Sequence, residues 1–209
     1  MKQLFTVNRL FQAKLLLKIM ERNSYNINRI PWNKACAAVF AQNESGDIFG
    51  INTAGPSIQP GNSRDRMVLL QTNVQVMKEI MTQITTYTRS AIIINVSNPM
   101  DILTYIALKE SGYPANRVIG SGTVLDTGRF RYELGEHLGV DSRSVHAYII
   151  GEHGDSELAA WSDARVGGLP INDFCELRGH FDHDASMEKI FDHVKNSAYE
   201  IIARKHATY

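Results

Sequence analysis

The sequence predicts an α/β fold whose first half is built on a parallel sheet. Three observations carry this. From residue 47 onward strand-like and helix-like segments alternate, AIIINV (91–96) is a continuous apolar run, and Gly-, Pro- and Ser-rich loops follow the strand-like segments. An apolar run without alternation is what a parallel strand covered on both faces requires. In order, DIFGIN (47–52) reads as a short strand ending in the loop TAGPSIQPGNS. RMVLLQTNVQVMKEIMTQITTYT (66–88) sets Leu69, Leu70, Val74, Met77, Ile80, Met81 and Ile84 at helical spacing. After AIIINV come SNP, the helix MDILTYIALKESG, the strand RVIG, a helix around TGRFRYELGEHLG and the strand VHAYII. The last helix, ASMEKIFDHVKNSAYEIIARK, has Met187, Ile190, Val194, Ala198 and Ile201 on one face, and is expected to pack on the sheet.

Composition narrows the function classes. A chain of 209 residues with 44% apolar residues has enough apolar matter for a real core. Its 22 basic and 22 acidic residues balance, which argues against nucleic acid and for a small neutral or singly charged ligand. Cys36 and Cys175 fit neither a disulfide framework nor a zinc spacing, as expected in a reducing compartment. Arg9, Lys14 and Lys18 interrupt the first 22 residues, which read as a basic amphipathic helix rather than an export signal. No run approaches the ~18 apolar residues of a membrane span, so the expected location is the cytoplasm.

In parallel sheets ligands gather beyond the carboxyl ends of the strands. Three polar loops follow strands here, TAGPSIQPG, SNPMD and GEHGDS, and their side chains are expected to share one cleft. His153 is the side chain suited to exchange a proton near neutral pH, given a partner that fixes its tautomer. Asp126 could be that orienting carboxylate; Asp155 is nearer in sequence but sits on an irregular loop. Arg129, three residues after Asp126, could grip a substrate carboxylate through two parallel hydrogen bonds or simply pair with Asp126. Arg66 and Arg64 open the long helix after a loop that could close as a lid. Asn98, before Pro99, suits ligand binding or an Asx-turn. Each of these residues alone also has an ordinary structural explanation.

Together they have a narrower one. TAGPSIQPG followed by Arg, IINVSNPMD, VIGSGTVLDTGRFR and GEHGDS, in that order, resemble the L-lactate and malate dehydrogenase family, specifically its L-2-hydroxyacid branch, from about Asp47 to about Thr208. The resemblance implies an NAD-dependent oxidoreductase with an incomplete Rossmann-type parallel sheet followed by the first part of an α+β catalytic domain. It implies that His153 takes the hydroxyl proton of the 2-hydroxy acid while hydride moves to NAD, that Asp126 orients the ring and that Arg129 grips the carboxylate. Asn98 would contact nicotinamide and substrate. Arg66, seven residues before Asn73, matches the lid arginine, with Arg64 as the alternative in a loop two residues longer than usual. At the position where malate dehydrogenases carry an arginine stands Ile58, which cannot hold a second carboxylate. Gln59 is the neighbouring candidate for substrate contact. Lactate and pyruvate are therefore expected, with longer acids such as hydroxyisocaproate next. Arg131 and His146 match the two positions used by fructose 1,6-bisphosphate-regulated members. The structural alternative is a solvated Arg131 and a His146 within a core strand. A homo-oligomer is the family's habit.

The resemblance stops at both ends. Residues 1–50 contain only Gly46 and Gly50 and no G-x-G-x-x-G turn of the kind that holds a pyrophosphate. Of the cofactor contacts, Ala54, Gly55, Val96, Ser97 and Asn98 remain. Thr208, in KHATY, matches a substrate-contacting threonine. The expected organisation is an atypical segment 1–46, a partial dinucleotide-binding domain 47–120 and a partial catalytic domain 121–209, with an exposed sheet edge and weak or no activity from the chain alone. A competing reading is an inactive fragment that serves only for binding or oligomerisation. A third takes His180, Asp182, His183 and Asp184 as metal ligands, for which a solvated loop is the simpler account; no metal is expected.

Overall fold

The computed structural model describes residues 26–29, 38–42, 48–53, 70–179 and 184–205. The chain divides into two compact units, Met1–Ser121 and Gly122–Tyr209.

The first unit holds a five-stranded sheet: β1 (Asn26–Arg29), β2 (Ala38–Gln42), β3 (Ile48–Asn52), β4 (Ile92–Asn95) and β5 (Val118–Gly120), in that spatial order. β3, β4 and β5 are parallel, and the helices α1 (Leu70–Tyr87) and α2 (Met100–Ser111) occupy the two crossovers between them. Parallel neighbours demand such long connections, and the sequence supplies helices at both. The helical spacing of the long apolar segment buries Met77, Ile80, Met81 and Ile84 of α1 against Ile93 of β4 and Leu103 and Ala107 of α2. Gly112 ends α2 in the left-handed region, at φ 64°.

The expected exposed edge does not fall on β3; β1 and β5 are the outer strands of the sheet. β2 runs antiparallel along β3, from Ala38 opposite Asn52 to Gln42 opposite Ile48, and β1 runs antiparallel to β2. Only residues 43–47 join β2 to β3, too short a link for a parallel crossover, so the chain must turn back. The amphipathic helix expected in residues 1–22 lies outside the described residues.

The second unit begins with α3 (Val124–Leu138), followed by five very short strands. Phe130, Leu134 and Leu138 form a buried stripe along α3, and Phe130 meets Trp161 edge-on, with ring centroids 5.0 Å apart. VHAYII is not one strand. Val145–His146 (β6) pairs with Arg165–Val166 (β9), whereas Ile149–Ile150 (β7) pairs with Leu158–Ala159 (β8). Between them Ala147 and Tyr148 leave the ladder. The period-2 pattern survives the change of partner, because Val145, Ala147 and Ile149 all point into the core. β10 (Leu169–Pro170) pairs with β9 and leads into α4 (Ile171–Leu177). The last helix, α5 (Asp184–Lys205), buries Met187 and Val194. Within the second unit its main partner is α3. Among the described residues no helix is long and apolar enough to cross a membrane.

Candidate active site

The second unit brings Asp126, Arg129 and His153 together. Asp126 lies in the first turn of α3, and two threonines of that turn tie it to β7. Thr123 Oγ1 donates to the Ile149 carbonyl at 2.5 Å, and Thr127 Oγ1 accepts from the Ile149 amide at 3.0 Å. The strand is thereby clamped beside the helix at Ile149, four residues before the histidine. Gly151, with φ 94°, then turns the chain through a backbone region that L side chains rarely adopt.

The turn sets His153 Nδ1 2.7 Å from Asp126 Oδ2. Facing a carboxylate at that distance, Nδ1 carries the proton and donates it, which leaves Nε2 as the basic nitrogen. Asp126 Oδ1 lies 3.6 Å from Arg129 Nη1. One carboxylate, 4% exposed, thus orients both the imidazole and the guanidinium. Arg129 is paired with Asp126 and is also partly open to solvent, which a substrate-gripping guanidinium needs. With the ring proton held on Nδ1, that nitrogen is a poor metal ligand. Asp155 does not serve the ring; it accepts from Tyr199 of α5 at 3.0 and 3.2 Å.

Glu157 was not singled out by sequence reasoning. It is 4% exposed, and a carboxylate oxygen of Glu157, one of Asp126 and a ring nitrogen of His153 lie within 4.8 Å of one another. The signal in the sequence was slight: an acid four residues after the histidine, immediately before the mostly apolar LAAW.

Arg131 is not merely solvated. Its Nε donates to the Ala147 carbonyl at 3.0 Å, and its guanidinium lies over the Tyr148 ring at 4.5 Å, so it secures the stretch that leaves the ladder between β6 and β7. His146 belongs to β6 but points outward and is exposed, unlike a core histidine. Cys175 is buried in the core, and burial pushes its thiol up.

In the first unit, Val96, Ser97 and Asn98 follow the carboxyl end of β4. Their turn is organised by the buried Asn95, whose Oδ1 accepts from the Ser97 amide at 3.2 Å and from Asn52 Nδ2, across the sheet, at 3.1 Å. Asn73 Nδ2 of α1 donates to the Asn98 carbonyl at 2.5 Å. The Asn98 side chain and Val96, 42% exposed, are left on the surface. Ala54, Gly55, Ile58, Gln59, Arg64, Arg66 and Thr208 lie outside the described residues, as do His180, Asp182 and His183.

Residues 44–120 match the lactate/malate dehydrogenase NAD binding domain, and residues 123–209 match the lactate/malate dehydrogenase alpha/beta C-terminal domain. L-lactate dehydrogenase of Acetivibrio thermocellus is 50% identical over 165 residues, 79% of this chain and 51% of that protein. L-lactate dehydrogenase 1 of Clostridium acetobutylicum is 48% identical over 170 residues, 81% of this chain and 53% of that protein. The ligand-bound crystal structure of minor L-lactate dehydrogenase from Enterococcus mundtii superposes with a TM-score of 0.69 at 49% identity, covering 76% of this chain and 50% of that one. The chain thus spans about half the length of the relatives it matches. With both domain types in order and half the aligned residues identical, the chain belongs to the lactate/malate dehydrogenase family.

Proposed function

We propose that this chain carries the site of an NAD-dependent L-lactate dehydrogenase, which moves hydride reversibly between NAD and a small L-2-hydroxy acid. The observation that carries the proposal is Asp126, whose two oxygens hold His153 at 2.7 Å and Arg129 at 3.6 Å. His153 would take the hydroxyl proton of lactate at Nε2 and return it to pyruvate in the reverse direction. Asp126 stabilises the imidazolium so formed. Arg129 binds the substrate carboxylate and fixes C2 opposite the ring. NAD, when bound, accepts the hydride from C2.

The described residues fit the nicotinamide end of that cofactor. Asn98 and Val96, open at the carboxyl end of β4, offer an amide for hydrogen bonding and an apolar edge. Val96, Ser97 and Asn98, with Ala54 and Gly55, are the residues we assign to it, and we assign Asn98, Arg66, Gln59, Thr208 and Arg129 to substrate binding. Ile58, in the place of an arginine, favours a monocarboxylate over malate. The organisation proposed is a partial NAD domain over 47–120 and a partial catalytic domain over 121–209. A cytoplasmic homo-oligomer reducing pyruvate in glycolysis and fermentation, with Arg131 and His146 able to bind fructose 1,6-bisphosphate, completes the proposal.

A second reading is favoured by one specific fact, the lack of a G-x-G-x-x-G turn in residues 1–50. Without amides for the pyrophosphate the chain would be a binding or oligomerisation module. Pyruvate reduction by NADH, measured for the purified chain and for His153→Asn, separates the two. Turnover that His153→Asn abolishes supports the dehydrogenase. Equal background rates in both refute it.

A further inference from the structure

Parallel strands covered on both faces are expected to be apolar, yet β3 and β4 each end in a fully buried asparagine, Asn52 and Asn95. The two are direct partners across the ladder, and Asn52 Nδ2 donates to Asn95 Oδ1 at 3.1 Å. Asn95 Oδ1 also accepts from the Ser97 amide at 3.2 Å. Its Nδ2 reaches the Ser97 carbonyl at 3.3 Å and, at the start of α2, the Met100 carbonyl at 3.1 Å and Thr104 Oγ1 at 3.2 Å. Every hydrogen-bonding position of the Asn95 side chain is therefore used. The partner of Asn95 on its other side is Gly120 of β5, where a Cβ would run into Met100 Sδ and stand 2.8 Å from Thr104 Oγ1. The glycine lets α2 come close enough for Asn95 to reach it.

Burying two amides costs free energy that their hydrogen bonds only offset, and an apolar pair of similar shape could fill the space at little cost to folding. What a fully satisfied polar network adds is one fixed arrangement of the groups it joins. The groups joined here are the end of β3, from which the chain runs on to Ala54 and Gly55, and the turn Val96–Asn98. Two further bonds hold the same turn: the Val96 amide donates to the Asn52 carbonyl at 2.9 Å, and Asn73 Nδ2 donates to the Asn98 carbonyl. We propose that Asn95, paired with Asn52, is a positioning residue that fixes the turn Val96–Asn98 in the conformation that receives the nicotinamide end of the cofactor. The proposal rests on the dehydrogenase reading for the cofactor, but not for the order it gives to the turn.

Asn95→Leu keeps the size of the side chain and removes all of its hydrogen bonds. In the full 15N-labelled chain, the Ser97 amide of this variant is expected to exchange with solvent at least about tenfold faster than in the parent, while the Ile93 amide, within β4, keeps its rate. In titrations, NADH is expected to bind about tenfold more weakly to the variant, and ADP-ribose, which lacks the nicotinamide, as it does to the parent. Unchanged Ser97 exchange overturns the proposal. So does NADH binding that is unchanged, or weakened only as much as that of ADP-ribose, since an equal loss would mark a general loosening of the unit. Should the variant fail to fold, the unaltered chain decides: its Ser97 amide is expected to exchange at least about tenfold more slowly than an unstructured amide, and free exchange overturns the proposal. A parent chain that binds neither ligand refutes the dehydrogenase reading, and the Ser97 exchange then decides by itself whether Asn95 orders the turn.

Discussion

Asp126→Asn isolates the electrostatic core of the site. The amide fits the space of the carboxylate, and its oxygen still accepts from His153 Nδ1, but it carries no charge. The carboxylate is 4% exposed and the His153 side chain 19%, so some water screens the pair and the fully dry limit does not apply. Opposite charges centred about 4 Å apart at an effective dielectric of about 20 attract by about 4 kcal/mol. If that attraction is made mainly when the ring becomes imidazolium, its loss lowers the rate about a thousandfold. The assay is kcat/KM for pyruvate reduction by NADH, with circular dichroism to show that the fold is retained. Activity within about tenfold of the parent would refute the role given to Asp126.

Other consequences are open to test. Arg129→Lys keeps the charge but loses the planar fork, and titration should show oxamate binding weakened about 10- to 100-fold. Gly135→Ala should destabilise the chain by about 1–3 kcal/mol in denaturant unfolding, because the added Cβ would stand 2.9 Å from the Val140 carbonyl oxygen, a backbone atom that cannot step aside. Helix propensity alone predicts a gain from that change, so the sign decides between the two effects. Cys175, whose thiol is pushed up by burial, should react with a maleimide at least about tenfold more slowly in the native chain than in the unfolded one, read by peptide mass mapping. Asp141 is held down at about 2, chiefly by the side-chain hydrogen bonds from Arg143. A depressed carboxyl contributes stability that is present above its unfolded value, near 4, and lost as pH falls through about 2. The stability gap between the parent and Asp141→Asn should therefore close over that window.

The parallel sheet was legible because its crossovers and its buried strand have distinct periods. α1 repeats its apolar residues at helical spacing, and β4 is flanked by loop-forming residues. Partner choice was not legible. The inward alternation of Val145, Ala147 and Ile149 is the same whether one neighbour or two receive the strand, so the switch from β9 to β8 leaves no mark in the pattern. The β1–β2 hairpin escaped for another reason: short antiparallel pairs depend on connection length and cross-strand contacts more than on a long apolar run. At the site, Asp126, Arg129 and His153 were readable through motif order. Glu157 was not, since only the fold reveals that its carboxylate is buried beside the histidine.

The most direct test of the central claim is isothermal titration of NADH into the purified chain, followed by oxamate, a pyruvate mimic, in the same cell. We expect NADH to bind weakly and oxamate to bind only after it, through Arg129 and His153. Absence of heat from either ligand would contradict a working dehydrogenase site in this chain.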